Sequence, residues 1–486
     1  MLIDIQNLSF SFDDGTLVFD RVSFRFDTSW KLGFTGRNGR GKTTFLKILL
    51  GQLDYTGKIN SPVGFSYFPF TVKEQNQSAM EVIHSISPQA FNWQIIKECS
   101  LLEVQEEALE RPFTTLSQGE RTKVLIAALF LMENQFLLLD EPSSHLDLKG
   151  QQILMDYLKG KQGFILVSHN RKLLDGATDH TLSLNKASID LTQGSYSVWQ
   201  KEKEKQVRFE QEKNKQLKKE IKVMEKAARR TAGWSDQVEA SKTGNGPVDR
   251  GYIGHQAAKM MKRAKSIEHR QKQAIKEKQQ LLQDEEIQVP LKMNPMAYHS
   301  KLLVYAKDLV LYYDHKAVTK PLNFELYQSE RIAVSGPNGS GKSTLFKKIL
   351  GQEIESTGIL KVGNLIISYL PQSTGSVNGS LLAFAKEQQV DYTTLLGNLN
   401  RLGFLRKELE HNLQQLSEGQ KKKVLIAKSL CESAHLYLWD EPFNYVDLPS
   451  RLQLEELILK MQPTLMVIEH DQAFMEKVAT KVLVLE

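Results

Sequence analysis

A phosphate-binding loop that occurs twice, 300 residues apart, constrains this chain more than any other feature. Gly36-Arg-Asn-Gly-Arg-Gly41-Lys42-Thr43 and Gly336-Pro-Asn-Gly-Ser-Gly341-Lys342-Ser343 both match G-x-x-x-x-G-K-[S/T]. The first follows a buried strand-like run, Leu32 to Thr35, and continues as a helix from Phe45 to Leu50. Glycines let backbone N–H groups wrap a phosphate, and the helix N-terminus adds a positive dipole. The lysine then reaches β- and γ-phosphate oxygens, and the Thr43 or Ser343 hydroxyl serves Mg²⁺. A chain built on this loop is α/β. The expected nucleotide contacts are Gly36, Asn38, Gly39, Gly41, Lys42, Thr43 and Thr44, and in the repeat Gly336, Asn338, Gly339, Gly341, Lys342, Ser343 and Thr344.

The same offset joins Leu116-Ser-Gln-Gly119-Glu120 to Leu416-Ser-Glu-Gly419-Gln420. It also joins Phe136-Leu-Leu-Leu-Asp140-Glu141-Pro142 to Leu436-Tyr-Leu-Trp-Asp440-Glu441-Pro442. Three motifs at one offset define an internal duplication. Each Asp-Glu pair ends an apolar strand, where carboxylates do not sit without a task. Asp140 and Asp440 are placed to hold Mg²⁺, and Glu141 and Glu441 to polarise an attacking water as general base. A later apolar strand in each repeat ends in histidine, His169 and His470. A lone strand-end histidine is ordinarily structural, but two at equivalent positions favour contact with a γ-phosphate.

Between the repeats, residues 198–290 are charged and of low apolar content, with a Thr243-Gly-Asn-Gly-Pro247 breaker near the middle. Apolar residues recur at Leu217, Ile221, Met224 and Ala228, then at Met260, Ala264, Ile267, Ala274 and Leu281. This narrow seam predicts an antiparallel helical hairpin with its tip at about 241–250. A solvated charged linker is the other reading of the same composition. Residues 201–290 hold 22 Lys and Arg against 14 Asp and Glu, whereas the remainder holds 41 against 43. The basic excess is confined to the linker and points to a polyanion, nucleic acid before an anionic membrane.

Cys99 and Cys431 have no metal spacing and suit a reducing cytosol. The N-terminus lacks a signal-peptide pattern, and the longest apolar run, Val124 to Met132, is too short to span a bilayer. The expectation is a soluble cytoplasmic protein of three domains, 1–197, 198–290 and 291–486, with no extension beyond the last strand at Glu486.

Phosphate loop, LSxGE/Q, Asp-Glu pair and strand-end histidine, in that order and twice, resemble ATP-binding cassette proteins. Two cassettes on one chain, joined by a charged helical hairpin, resemble the ABC-F subfamily. WKLGFTGRNGRGKTTFLK, LSEGQKKKVLIAKSL and GYIGHQAAKMMKRAK are similar to its antibiotic-resistance branch, the Lsa and Vga type. The resemblance implies a monomer whose cassettes close head-to-tail on two ATP molecules. One site would use Lys42, Thr43, Asp140, Glu141 and His169 with Ser417 and Gly419. The other would use Lys342, Ser343, Asp440, Glu441 and His470 with Ser117 and Gly119. Phe12 and Tyr313 would stack on adenine, although lone strand aromatics equally suit a core.

In the family pattern a glutamine contacts Mg²⁺ and the water. Gln372 stands there in the second repeat, but Phe70 stands there in the first, which predicts a slower or differently coupled first site. Ser117 follows Phe70 by 47 positions and Ser417 follows Gln372 by 45, leaving no room for the arm that housekeeping members insert. The implied partner is the bacterial ribosome, with the cassettes in the ribosomal E site and the hairpin contacting rRNA and P-site tRNA. The resemblance implies displacement of lincosamides, streptogramins A and pleuromutilins, with no DNA or membrane partner. Trp234, Lys242, Thr243, Asn245 and Tyr252 are the candidate RNA contacts near the tip. The aromatic pair could instead pack the arms together. A housekeeping translation factor and the ATPase component of a transporter are the alternative functions.

Overall fold

A computed structural model of the chain describes residues 1–12, 15–37, 39–144, 146–185, 188–240, 262, 291–313, 315–337, 339–404, 406–410, 412–469 and 471–485. The chain divides into two compact units. One comprises Met1–Trp199 with Val289–Glu486, and the other Gln200–Gln288.

In the first repeat a six-stranded sheet runs in the order Gly64–Phe68, Gln135–Asp140, Phe164–Val167, Lys31–Gly36, His180–Leu184, Ile189–Gln193. All neighbours are parallel except the last pair. The second repeat rebuilds the motif-bearing part as Ile367–Leu370, Leu436–Asp440, Leu465–Ile468, Arg331–Ser335, Lys481–Val484, all parallel. Strands buried on both faces read as continuous apolar runs, as Phe136 to Leu139 and Leu436 to Trp439 do. Parallel pairing puts every carboxyl end on one edge, so Gly36 and Asp140 emerge together. Each repeat adds an antiparallel sheet, Leu2–Ser11 with Leu17–Asp27 and Thr56–Asn60, and Leu302–Tyr313 with Leu322–Tyr327 and Ser356–Val362.

Aromatic packing fixes the phosphate loop at both ends. Phe34, on the strand before it, meets Phe45, on the helix Lys42–Leu49 after it, edge-on at 5.5 Å, and Phe19 from the antiparallel sheet meets Phe45 at 6.0 Å. Such pairs are each worth about 0.5–1.5 kcal/mol beyond their burial. The loop's last glycine is required by its conformation, with φ 106° at Gly41 and 84° at Gly341. A Cβ there would lie 2.4 Å from Val18 Cγ1 or 2.7 Å from Thr319 Cγ2.

The two repeats meet within the first unit. Leu448 belongs to the first repeat's helical core, and Leu148 packs on the second repeat's core. A buried ionic group joins them on one side. Arg171 donates both terminal nitrogens to the Glu455 carboxylate, and one also approaches Asp471 at 3.5 Å. Lys477 donates to Glu455 at 2.9 Å. Arg451 donates to Asp471 and, at 3.0 Å, to the His169 carbonyl of the other repeat. At the equivalent positions of the other half stand Met155 for Glu455, Gln151 for Arg451 and Gln472 for Arg171.

In the second unit, the helix Tyr196–Ala240, which begins in the first, has 45 residues and spans about 67 Å at 1.5 Å per residue. Along it Asn214 and Ile221 are buried, and Leu217 and Met224 are half-buried, at the spacing of the expected seam. Asn214 was not foreseen there. Trp234 lies on this helix with its side chain outside those described. The tip with Lys242, Thr243, Asn245 and Tyr252, and the second arm's seam, also lie outside the described residues, so the hairpin pairing stays an expectation. Among the described residues no helix is long and apolar enough to cross a membrane.

Glu455 is fully buried, so Arg171→Met should leave its charge with Lys477 as the remaining partner in the pair. Removing one member of a buried pair costs up to about 3–5 kcal/mol. Calorimetry on the full chain should show a lower thermal midpoint, recovered in Arg171→Met combined with Glu455→Met. A single variant as stable as the parent would remove the pair from any role in holding the repeats.

Candidate active site

The helices that follow the two phosphate loops start without a side-chain cap at Gly41 and Gly341, so their first N–H groups remain available to an anion. Lys42 and Lys342 are buried at these starts. Lys42 Nζ donates to the carbonyls of Gly36 (2.7 Å) and Arg37 (3.2 Å), and Lys342 Nζ to those of Gly336 (2.9 Å) and Pro337 (2.7 Å). Burial lowers the pKa of both ammonium groups, and nearby carboxylates oppose that shift. Those carboxylates cross between repeats, because Asp447 acts on Lys42 and Asp147 on Lys342.

The carboxylates sit two strands away, across Phe164–Val167 or Leu465–Ile468. Thr43 donates to Asp140 Oδ2 at 3.0 Å, and the Tyr67 hydroxyl donates to the same oxygen at 3.1 Å. Ser343 bonds Asp440 in the repeat, and burial raises both aspartates. Asp440 is 1% exposed and its Oδ1 is buried with no hydrogen-bond partner. An uncompensated buried oxygen beside a hydroxyl fits a hard cation whose ligands are oxygens.

The next residue turns sharply. Glu141 and Glu441 have φ of 53° and 48°, a strained conformation of the kind that clusters at functional sites. Their backbone N–H groups still bond the neighbouring strand, at Val167 and Ile468, so the twist re-aims the side chain alone. Burial and Asp140 push the Glu141 carboxyl up to about 7. Its Oε1 lies 3.4 Å from His169 Nε2. Burial, and next Lys42, hold the His169 imidazole well below its usual pKa, so this is a contact to a neutral ring rather than an ion pair. Glu441 is held differently, by amide donors from Gln372 at 2.8 Å and Asn444 at 2.6 Å. Phe70 packs instead on the helical core of its own repeat, a physical reason why the first site lacks that donor. His470, Asn38 and Asn338 lie outside the described residues.

Ser117 and Ser417 open helices Gln118–Phe130 and Glu418–Cys431 as reciprocal capping boxes with Glu120 and Gln420. The E/Q of each LSxGE/Q motif is thus a helix cap. Gly119 and Gly419 lie in the first turns of those helices. A cleft of about 1240 Å³ brings Ser117 and Gly119 together with Gly339, Gly341, Lys342, Ser343, Thr344, Gln372 and Glu441, and extends to Glu141 and His169. Gly36, Gly39 and Thr44 stand on the first loop and its helix, beside Lys42 and Thr43. Phe12 and Tyr313 are 47% and 69% exposed, so neither belongs to a core. Sequence reasoning missed Tyr67, Asn444 and Arg451. Only Asn444, three residues after Glu441, carried a local signal.

Two parallel sheet edges, each carrying a phosphate loop, with the second loop faced by the first repeat's Ser117 helix start, define a P-loop ATPase built from two halves on one chain. The family model described as "ABC transporter" matches residues 19–144 and 319–444, and the chain belongs to that family. It is of the ABC-F type, an ATPase that binds ATP. It is 29% identical to the ribosome protection protein VmlR of Bacillus subtilis (strain 168), over 100% of this chain and 86% of that one. It is 25% identical to the energy-dependent translational throttle protein EttA of Mycobacterium tuberculosis, over 97% and 89%. In fold it is similar to a structure described as a complex of an archaeal ribosomal stalk protein and the archaeal ribosome recycling factor aABCE1, with TM-score 0.63, 21% identity, and coverage of 99% of this chain and 87% of that one.

Two outcomes follow for turnover. Glu141→Gln with Glu441→Gln should bind ATP normally and hydrolyse it about 10²–10⁴-fold more slowly, measured by equilibrium binding and phosphate release. Of the single variants, Glu441→Gln should lose more than Glu141→Gln, because only Glu441 has the Gln372 amide beside it. Equal single losses would show that the Phe70 substitution has no kinetic consequence.

Proposed function

We propose that this chain is a cytoplasmic ribosome-protection ATPase that antagonises antibiotics bound in the large ribosomal subunit. The observation that carries the reading is the likeness to VmlR over the whole chain, the linker included. The basic linker supports it, since counterion release favours contact with rRNA and tRNA phosphates.

In this reading one ATP lies against Lys42, Thr43, Asp140, Glu141 and His169 and is closed by Ser417 and Gly419. The other lies against Lys342, Ser343, Gln372, Asp440, Glu441 and His470 and is closed by Ser117 and Gly119. Asn38, Gly39, Asn338 and Gly339 add loop contacts, and Phe12 and Tyr313 stack on the adenines. Thr43 with Asp140, and Ser343 with Asp440 and Gln372, would hold Mg²⁺, which supplies charge neutralisation on the phosphate oxygens. Each glutamate orients the attacking water and accepts its proton, with the histidine of its site beside the γ-phosphate. Closed on ATP, the cassettes occupy the ribosomal E site. The linker reaches toward the peptidyl-transferase centre, moves the P-site tRNA and displaces lincosamides, streptogramins A or pleuromutilins. Trp234, Lys242, Thr243, Asn245 and Tyr252 are its candidate RNA contacts. The 25% identity to EttA keeps a housekeeping translation factor as the second reading. The ATPase component of a transporter has no use for the basic linker.

The Glu141→Gln, Glu441→Gln chain should sediment with ribosomes when ATP is present and block growth. Sedimentation free of ribosomes would refute the reading. A host expressing the parent chain should show raised inhibitory concentrations for these drug classes and not for drugs acting elsewhere. Unchanged values across that panel would favour the housekeeping reading. Removing about four residues, one helical turn, from each side of segment 241–250 should abolish protection while ATPase activity and ribosome binding persist. Alanine at Lys242 or Asn245 should cost much less. Protection retained by the shortened linker would mean that reach is not what displaces the drug.

A further inference from the structure

The helix Glu418–Cys431 of the second repeat buries a cation that the first repeat lacks at the equivalent position. Lys422 is 1% exposed, and its Nζ donates to three backbone carbonyls, Pro371 at 2.8 Å, Gln372 at 3.1 Å and Asp440 at 3.1 Å. An ammonium has three donors, so each proton has one acceptor. The acceptors lie on two separate segments, the one that carries Gln372 and the strand end that carries Asp440 and Glu441. At the equivalent position of the first repeat, Thr122 donates within its own helix to Gln118 at 3.0 Å. The segment it would have gripped carries Phe70, which packs half-buried against the helical core of its own repeat.

We propose that Lys422 is a positioning residue of the second ATP site, fastening the Gln372 segment to the Asp440–Glu441 strand end. Gln372 is exposed, so no core packing fixes its side chain, and its 2.8 Å bond to Glu441 depends on where its backbone is held. Burying an ammonium is costly unless every proton is matched, and an apolar residue would fill the same volume at lower cost. Retaining the charge therefore serves the distance between the two segments. Phe70 needs no such fastening, and Thr122 supplies none. The proposal rests on the ATPase activity and not on the ribosome reading, so its test uses the purified full chain alone.

Lys422→Thr should lower kcat for ATP tenfold or more, with KM changed less than threefold, the split expected when geometry around the reacting water is lost but nucleotide binding is kept. Lys422→Arg should restore a substantial part of kcat. Amide hydrogen exchange should accelerate in residues 372–374 and stay unchanged in residues 70–72, the prolines at 371 and 69 having no amide proton. Unchanged kcat, or exchange that accelerates equally in both repeats, overturns the proposal. If Lys422→Thr does not fold, Lys422→Gln is read by the same criteria. Failure of both to fold assigns Lys422 to the core alone and equally overturns it.

Discussion

An ATP triphosphate can be gripped only by hydrogen-bond donors that the protein leaves unused, and the layout of this molecule follows from supplying them. The helices Lys42–Leu49 and Lys342–Ile349 begin uncapped at a glycine. The helices that open at Ser117 and Ser417 begin with a full capping box. The first kind concentrates open N–H groups and a partial positive charge, and the second kind presents a rigid, self-satisfied turn. Lys342 and Ser343 line one cleft with Ser117 and Gly119, so the open helix start of one repeat faces the closed start of the other. The parallel sheets, the aromatic packing around Phe45 and the reciprocal placement of Leu148 and Leu448 all serve to keep those starts in register.

Electrostatics then separates two sites that topology makes alike. Glu441 receives two amide donors, from Gln372 and Asn444. Among the described residues Glu141 takes a hydrogen bond from the His169 backbone N–H at 3.4 Å and no amide side chain, and burial raises its pKa. Arg451 touches the first site's histidine through its carbonyl, so the second repeat bears directly on the first site's geometry.

What was legible in the sequence was what the backbone forces. Gly41 and Gly341 have to be glycine because of their φ and the crowding by Val18 and Thr319, and such constraints leave fixed spacings. The Asp-Glu pairs stood out because carboxylates ending apolar strands need a reason. Phe70 was legible as an absent donor, though not as a residue that packs against the core. Contacts made at long range left no pattern. Arg171 and Glu455 are 284 residues apart, and Lys422 reads as one more basic residue in a Lys-Lys-Lys run that a surface helix would also carry. The capping role of Glu120 and Gln420 was hidden by reading the motif only for its ligand.

The one-sided ionic group between the repeats has a consequence for assembly and descent. In a homodimer every interface substitution appears twice, so each contact has to tolerate its own mirror copy. Two halves on one chain are free of that condition. Two first repeats brought together in the same way would set Arg171 against Met155, and two second repeats would set Glu455 against Gln472, leaving it Lys477 of its own repeat in place of the arginine. The halves of this molecule have become lock and key, each fitted to the other and neither to itself.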